Sequence, residues 1–171
     1  MEEIVNKVAQ SGLITLDPAG FLPDPENCAA FDLKPLLFRE LLLKEKDFRA
    51  ALKALDWDVY RGKFVTIYCS SDAIIPLWAY MLVTTYLQPV ARGVYAGPPA
   101  EMDRQLLLER IRSLDPETYR DKRIVIKGCG DRSVPAEAYV AIMQHLQPVV
   151  KSLMFGEPCS TVPVYKQKRL L

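Results

Sequence analysis

Apolar residues along the chain recur with the period of a strand or of a helix, most regularly after residue 62. Short β-rich segments alternate there with longer stripes at spacings of three and four. The predicted strands are Phe64–Cys69, Gly93–Ala96, Arg123–Gly128 and Ser152–Phe155, and the predicted helices are Ile74–Leu87, Pro99–Leu114 and Pro135–Gln147. This alternation predicts a three-layer α/β fold, with a mostly parallel sheet of about four strands and helices on both faces.

The first third of the chain is less regular. Leu13–Leu16 and Cys28–Leu33 are predicted short strands, and the proline-rich segment between them predicts a loop, so we expect an N-terminal hairpin or edge layer. Helical spacing covers Lys34–Leu55 with a break at the charged run Lys44–Asp47. No repeat of fixed period is evident. We therefore predict one domain over residues 1–171, made of an irregular segment 1–62, a strand–helix core 63–163 and a basic tail 164–171.

Composition and charge narrow the classes of partner. The 171 residues are 50% hydrophobic, enough for a core, and 22 basic against 21 acidic residues leave a net charge of +1. Such a balance gives no general attraction for nucleic acid or an anionic membrane. The longest apolar run, Ile74–Leu87, is shorter than the roughly 20 residues that cross a bilayer. The charged N-terminus lacks the apolar region of a signal peptide, so we expect a cytoplasmic protein without disulfides.

Four cysteines are the chief candidates for chemistry, because the single histidine, His145, excludes sites that need two imidazoles. Cys69 ends a predicted strand, Cys129 follows another by one glycine, and Cys159 lies just past the last strand. The carboxyl ends of parallel strands share one edge, where open α/β folds bind their ligands. The sequence therefore predicts that these three cysteines lie together at one edge of the sheet.

The residues around these cysteines favour a metal. Gly128 and Gly130 flank Cys129 and allow the backbone to approach a ligand closely. A nearby aspartate can supply a fourth ligand, and a thiolate-rich site selects zinc or, alternatively, an iron–sulfur cluster. The predicted metal site consists of Cys69, Cys129, Cys159, Asp131 and Asp72.

Two other interpretations stay open. In the first, the protein is a thiol-based enzyme or a sulfur carrier, with one cysteine as nucleophile and another resolving it. In the second, it is a non-catalytic interaction module whose cysteines pack as small apolar residues. Cys28 lacks glycine or proline neighbours and is assigned a structural role. His145 lies off the apolar stripe of its helix and is expected to face solvent.

Three longer motifs contain the candidate cysteines: Tyr68-Cys-Ser-Ser-Asp-Ala-Ile-Ile-Pro76, Ile126-Lys-Gly-Cys-Gly-Asp131 and Gly156-Glu-Pro-Cys-Ser-Thr-Val-Pro163. With these motifs, nearly the whole chain resembles a bacterial family of small cytoplasmic proteins catalogued as a domain of unknown function. The resemblance implies no activity. Genes of that family often neighbour iron–sulfur assembly genes, so it implies a link to iron–sulfur or sulfur metabolism and protein partners of iron–sulfur assembly.

Overall fold

A computed structural model describes residues 12–128 and 130–168. These residues form an α/β structure, which confirms the predicted class, and most strand pairs are parallel. The strands are β1 Leu13–Leu16, β2 Cys28–Asp32, β3 Phe64–Tyr68, β4 Gly93–Ala96, β5 Arg123–Ile126, β6 Ser152–Glu157 and β7 Ser160–Lys166. The helices are α1 Glu45–Ala54, α2 Leu77–Leu87, α3 Pro99–Arg112 and α4 Ala136–Leu146. Short 3-10 helices occupy Pro18–Phe21, Pro25–Asn27, Lys34–Leu36, Trp57–Tyr60 and Pro116–Tyr119.

The strands are divided between two sheets, each in its own compact unit. Unit 1 consists of the described residues up to Leu22 and from Leu106 onward, and it holds a sheet of order β1-β5-β6-β7. Unit 2 is Pro23–Gln105 and holds a sheet of order β2-β3-β4. All pairs are parallel except β6 with β7. Unit 2 is thus inserted between the first strand of unit 1 and the remainder of that unit.

The two N-terminal strands do not form the predicted hairpin. β1 pairs in parallel with β5, and β2 pairs in parallel with β3. Each is an edge strand of its own sheet, so the alternative of an edge position is the one observed. A parallel partner further along the chain is reached through a crossover connection, and both strands have such a connection.

The two units are copies of one β-α-β-α-β pattern. Residues 55–97 align without a gap with residues 114–156, and 15 of these 43 pairs are identical. Helix α2 begins at residue 77 and α4 at residue 136, and the 3-10 helices before them begin at 57 and 116, so both spacings are 59 residues. The prediction of no repeat was wrong. The insertion of unit 2 into unit 1 hides the repeat, because the first strands of the two copies follow one another.

Local geometry is repeated along with the sequence. Asp56 and Asp115 each accept a hydrogen bond at 3.0 Å from the peptide N–H two residues later, at the start of a 3-10 helix. Gly97 directly follows β4, and Gly156 is the residue before the last in β6; both have a positive φ, +117° and +123°. Glycine is retained at both positions because other residues rarely adopt this backbone conformation.

Each unit has its own hydrophobic core, built from equivalent positions. Helix α1 corresponds to the second half of α3, so that Phe48 and Leu52 of unit 2 match Leu107 and Ile111 of unit 1, and all four are fully buried. In the middle strands, Val65 and Ile67 of unit 2 match Ile124 and Ile126 of unit 1. The helix that follows buries Ala79, Val83 and Leu87 in the core of unit 2, and the matching helix buries Ala138, Ile142 and Leu146 in the core of unit 1. Burial of these side chains is the main source of stability in each unit.

Strand β7 was not predicted. Its sequence contains Pro163, which lacks an N–H for the ladder, and several of its residues are exposed. The strand tolerates the proline because it lies at the edge of the sheet, where a register shift between Leu153 and Met154 also accommodates it. β7 is the one strand of unit 1 that has no counterpart in unit 2.

The predicted helical stretch Lys34–Leu55 is helical only in its second part. Its first part has a 3-10 helix at Lys34–Leu36 and then a turn closed by a bridge between Phe38 and Leu42, with positive φ at Arg39 and Glu40. The leucine-rich pattern there therefore does not build a helix. Among the described residues, no helix has the length and apolar character that crossing a membrane would require.

Candidate functional site

A cavity of about 170 Å³ lies at the carboxyl ends of the parallel strands β1 and β5 in unit 1. We call it the strand-end cavity. The segment after β1, the segment after β5 and the first turns of α4 form its walls. Its lining residues are Asp17, Pro18, Ala19, Lys127, Gly128, Gly130, Arg132, Ser133, Val134 and Tyr139. This is the edge at which open α/β sheets usually bind ligands.

Among the described residues, the lining of the strand-end cavity carries two cations and one carboxylate. Asp17 Oδ1 accepts a hydrogen bond from the Ala19 N–H at 2.9 Å, and its Oδ2 lies 3.5 Å from Lys127 Nζ. Arg132 supplies the second positive charge. Tyr139 donates from its hydroxyl to the Lys127 carbonyl at 3.3 Å, which ties α4 to the end of β5. The cavity therefore has a surplus of positive charge.

The approach to α4 adds to this positive character. The helix begins after Pro135, which forms no side-chain cap. Peptide N–H groups in the first turn of a helix lack intrahelical partners and carry partial positive charge. An anion near this end of α4 is therefore favoured by the backbone as well as by Lys127 and Arg132.

One of the two glycines in this loop is required by packing. A Cβ placed on Gly128 would lie 2.3 Å from Cζ of Phe155, whose ring also packs edge-on against Tyr139. A Cβ on Gly130 would meet only the Ala19 Cβ, at 4.0 Å. The sequence predicted that both glycines allow a ligand to approach. In the structure, Gly128 is required because the Phe155 ring of the neighbouring strand leaves no room for a side chain there.

The equivalent position in unit 2 is a closed hydrogen-bonded cluster. Asp32 ends β2 as Asp17 follows β1, and its carboxylate accepts from the N–H groups of Lys34 and Ser70, both at 3.0 Å, and from the Ser70 hydroxyl at 2.5 Å. Partial burial alone raises the pKa of Asp32, but the hydrogen bonds from Ser70 and Lys34 outweigh burial and lower it below its ordinary value. The Asp32 carboxylate is therefore satisfied by hydrogen bonds, two of them from Ser70. The Asp17 carboxylate of unit 1 instead forms an ion pair with Lys127.

Cys69 lies beside this cluster. It is half-buried, with its Sγ 3.3 Å from Ser71 Oγ. Burial raises the pKa of Tyr80, and negative charge on Cys69 raises it further. Ser70, Ser71 and Asp72 do not cap the following helix, because α2 begins only at Leu77.

Alignment of the two copies separates shared residues from those specific to unit 1. The aspartate after the first strand, the proline before the second helix and a tyrosine in its first turns occur in both copies. The cations do not, since Lys127 and Arg132 are replaced by Tyr68 and Ala73. Both copies adopt the same fold, so the fold does not require these two cations.

Two of the three cysteines of the predicted site follow strands of different sheets. Cys69 follows β3 in the sheet of unit 2, whereas Cys159 is exposed in the turn between β6 and β7 of the sheet of unit 1. Cys69 and Cys159 therefore do not share the edge of one sheet. Cys129 lies outside the described residues. Asp72 and Asp131 are both exposed and occupy equivalent positions of the two copies.

The predicted metal centre is not formed by the part of the chain that the structure describes. Over residues 12–128 and 130–168, no three His, Cys, Asp or Glu side chains come together in a group that could hold a metal ion. The described candidates, Cys69, Cys159, Asp72 and Asp131, thus do not make a ligand set on their own. Binding of zinc or of an iron–sulfur cluster stays a prediction.

Sequence reasoning missed the cations of the strand-end cavity and misplaced the histidine. Lys127 and Arg132 were not singled out, although a comparison of segments 68–76 and 127–135 would have shown that they are specific to one copy. His145 does not simply face solvent. It is half-buried, and its Nε2 lies 2.7 Å from the Leu114 carbonyl oxygen.

Comparison with known proteins identifies a family whose function is unknown. The model of the family described as "Protein of unknown function (DUF2480)" matches residues 2–167, so the chain belongs to that family. This confirms the resemblance to a domain of unknown function. No curated protein and no solved structure matches the chain.

Proposed function

We propose that unit 1 binds a small anion, either a phosphate group or a short carboxylate, in the strand-end cavity. The observation that carries the proposal is the difference between the two copies. Lys127 and Arg132 line the cavity of unit 1, whereas the equivalent residues of unit 2 are Tyr68 and Ala73. Two cations that folding does not require, gathered at the ligand-binding edge of a parallel sheet, favour recognition of negative charge.

The size of the strand-end cavity restricts the ligand. Its volume of about 170 Å³ is close to the roughly 150 Å³ of a cavity that admits benzene. A phosphate group or a short carboxylic acid fits this space, whereas a whole dinucleotide exceeds it. A larger molecule would have to place only its anionic end inside.

Each polar group has a role in this proposal. Arg132 can form paired hydrogen bonds with two anion oxygens, and Lys127 supplies a point charge. Asp17 orients the Lys127 ammonium at 3.5 Å and balances part of its charge before an anion arrives. Peptide N–H groups at the start of α4 and the Ser133 hydroxyl are further donors.

Binding of inorganic phosphate, followed by isothermal titration calorimetry and by thermal unfolding at constant ionic strength, tests the proposal. A ligand of five non-hydrogen atoms is limited to about 1.5 kcal/mol per atom, so we expect a Kd between about 1 µM and 1 mM. Such binding must also raise the melting temperature, since a ligand of the folded state stabilises it. Acetate is the matching probe for a carboxylate.

Variants locate the binding. Lys127→Tyr and Arg132→Ala give unit 1 the residues of unit 2 and should each weaken phosphate binding at least tenfold, which corresponds to about 1.4 kcal/mol. Lys151→Ala is the matched control, because it removes one exposed positive charge from unit 1 outside the cavity. Equal binding by all three variants, or absence of binding by the wild type to either probe, would refute the proposal.

Cysteine chemistry is a second candidate, with the half-buried Cys69 as its best-supported residue. Its Sγ has the Ser71 hydroxyl at 3.3 Å, a polar contact that a thiol-based enzyme or sulfur carrier could use. Alkylation of each cysteine across pH tests it, since a reactive Cys69 should be modified faster than Cys28 at every pH below the ordinary thiol pKa. Equal rates would count against this candidate.

The zinc or iron–sulfur centre, with its link to iron–sulfur or sulfur metabolism, belongs to the same cysteine-based proposal. It is tested by metal analysis of anaerobically purified protein and by the visible spectrum, which distinguishes an iron–sulfur cluster from zinc. Metal close to one equivalent per chain that is lost in Cys129→Ser would support it. Metal far below one equivalent would refute it.

A further inference from the structure

The aspartates at the ends of β1 and β2 form the same local turn but have different further partners. Asp17 Oδ1 accepts from the Ala19 N–H at 2.9 Å, and Asp32 Oδ1 accepts from the Lys34 N–H at 3.0 Å. Each bond joins the carboxylate to the peptide two residues later at the end of its strand. Because this bond fixes Oδ1 in the same way in both copies, the contacts of the two Oδ2 atoms can be compared.

In unit 2 the Oδ2 atom accepts a hydrogen bond from a hydroxyl. Ser70 Oγ donates to Asp32 Oδ2 at 2.5 Å. The sequence of unit 1 has Cys129 at the position of Ser70, and a thiol is a much weaker donor than a hydroxyl. Asp17 Oδ2 lies 3.5 Å from Lys127 Nζ, beyond the usual length of a hydrogen bond. Asp17 also lines the strand-end cavity, so its carboxylate can accept a hydroxyl that a ligand brings.

A carboxylate inside an anion site distinguishes anions by their protons. Ionised ligand oxygens are attracted by Lys127 and Arg132, but an ionised oxygen next to Asp17 is repelled. An anion that carries an O–H group can direct its ionised oxygens to the two cations and donate its proton to Asp17. Such an anion therefore satisfies all three charged groups at once.

Inorganic phosphate has this combination of groups at neutral pH. Both of its common forms there, the dihydrogen and the monohydrogen anion, retain at least one proton. Sulfate has the same tetrahedral shape without a proton, and acetate likewise has none. A phosphate monoester is largely without a proton at pH 7, because its second pKa is about 6.

We propose that the strand-end cavity selects inorganic phosphate and that Asp17 determines this specificity by accepting a hydrogen bond from the phosphate O–H. The phosphate hydroxyl then takes the place that the Ser70 hydroxyl has in unit 2. This inference rests on the proposed function, because it chooses phosphate from the anions that the proposed function leaves open. If Asp17 served only to balance the charge of Lys127, sulfate would bind as well as phosphate.

Isothermal titration calorimetry of the full chain with phosphate and with sulfate, at one pH and ionic strength, tests the specificity. The wild type should bind phosphate at least about tenfold more tightly, since sulfate replaces a hydrogen bond to a charged group by repulsion. In Asp17→Asn, sulfate binding should improve at least about tenfold and the preference should be largely lost. The amide oxygen still accepts from the Ala19 N–H, while the amide nitrogen donates to any ionised oxygen.

The chain offers a matched control in Asp115 of unit 1. Like Asp17, it precedes a proline and accepts from the N–H two residues later, at 3.0 Å, but it lies outside the lining of the strand-end cavity. Asp115→Asn removes the same charge from a similar turn. The ratio of phosphate to sulfate affinity should therefore stay at its wild-type value.

The outcomes separate this inference from the proposed function. Equal affinity for phosphate and sulfate overturns the inference while anion binding stands, and so does a preference that survives Asp17→Asn. Binding of acetate without phosphate has the same meaning. Tighter binding of glycolate than of phosphate would show that the O–H group belongs to a hydroxy acid, so the assignment of phosphate would be wrong. Binding of neither phosphate nor acetate refutes the proposed function, and this inference with it.

Discussion

Units 1 and 2 share a backbone pattern but differ in the segment that follows the second strand of each copy. In unit 2 the Asp32 carboxylate is satisfied by Ser70 and Lys34. In unit 1 the equivalent Asp17 contacts Lys127 beside a cavity that Arg132 also lines. One architecture thus supports a closed polar cluster in one copy and a positively charged cavity in the other, so the fold alone does not determine function.

The two units also differ at their surfaces. Unit 1 adds β7, which pairs with β6 and continues the sheet. Unit 2 has no equivalent strand, and it exposes the apolar side chains of Ile74, Leu77 and Met81 in and just before helix α2. Both differences lie outside the core that the two units share. We infer that folding constrains the residues of the core, whereas residues outside it can change and take part in binding.

The largest expected effects test whether the two cores are equivalent. Phe48→Ala in unit 2 should destabilise the protein by about 3–5 kcal/mol, and Leu107→Ala at the matching position of unit 1 by about 2–5 kcal/mol, since both side chains are fully buried. Chemical denaturation measures both values. If either substitution costs less than about 1 kcal/mol, the two positions do not play the same role and the comparison fails.

A glycine pair tests the addition of β7. Gly97→Ala and Gly156→Ala impose the same backbone strain, because φ is +117° and +123°. A Cβ on Gly156 would also lie 2.5 Å from the Ser160 backbone oxygen at the start of β7, whereas on Gly97 it would meet the flexible Glu101 side chain at 3.4 Å. We expect a cost of about 2–4 kcal/mol at Gly156 and about 1–2 kcal/mol at Gly97. Equal costs would show that the β6–β7 turn yields easily.

The smallest effect concerns the closed cluster of unit 2 and depends on pH. Ser70→Ala removes the hydroxyl donor of Asp32 and should cost about 1 kcal/mol near neutral pH. The pKa of Asp32 is lower in the folded than in the unfolded state, so its stabilisation is present above the unfolded value and is lost as the pH falls through the folded value. The difference between Ser70→Ala and wild type should therefore shrink on acidification.

The control for this pH dependence is Ser71→Ala. Its hydroxyl contacts the Cys69 thiol and not the Asp32 carboxylate, so its effect should stay constant over the same acidic range. Urea titrations at several pH values compare the two variants. A Ser70→Ala difference that persists unchanged in acid would contradict the assignment of the bond to the ionised carboxylate.

Local elements were readable from the sequence because their signals are local. The pattern of Leu13–Leu16 and Gly93–Ala96 gave both strands with their observed bounds, and the stripe beginning near Pro135 gave α4 within one residue. The partition into two sheets was not readable, because pairing joins residues far apart in sequence. Nothing in the pattern of β1 says that its partner begins at Arg123 rather than within the next twenty residues.

The candidate site shows the same limit. Cysteines attract attention because they are few, yet the strand before Cys69 belongs to another sheet than the strands before Cys129 and Cys159. Lys127 and Arg132 were overlooked because a single Lys or Arg is usually a solvated surface residue. Only the alignment of the two copies distinguishes these two cations from ordinary surface residues. It shows that the equivalent positions of unit 2 are not positively charged.

The central claim is that unit 1, and not unit 2, binds an anion at its strand ends. A titration of isotope-labelled protein with inorganic phosphate, followed through backbone amide shifts, tests this directly because both loops are observed in one sample. The account predicts saturable shifts in residues 127–134 and none in the equivalent residues 68–75. Shifts of equal size in both loops, or in neither, would contradict it.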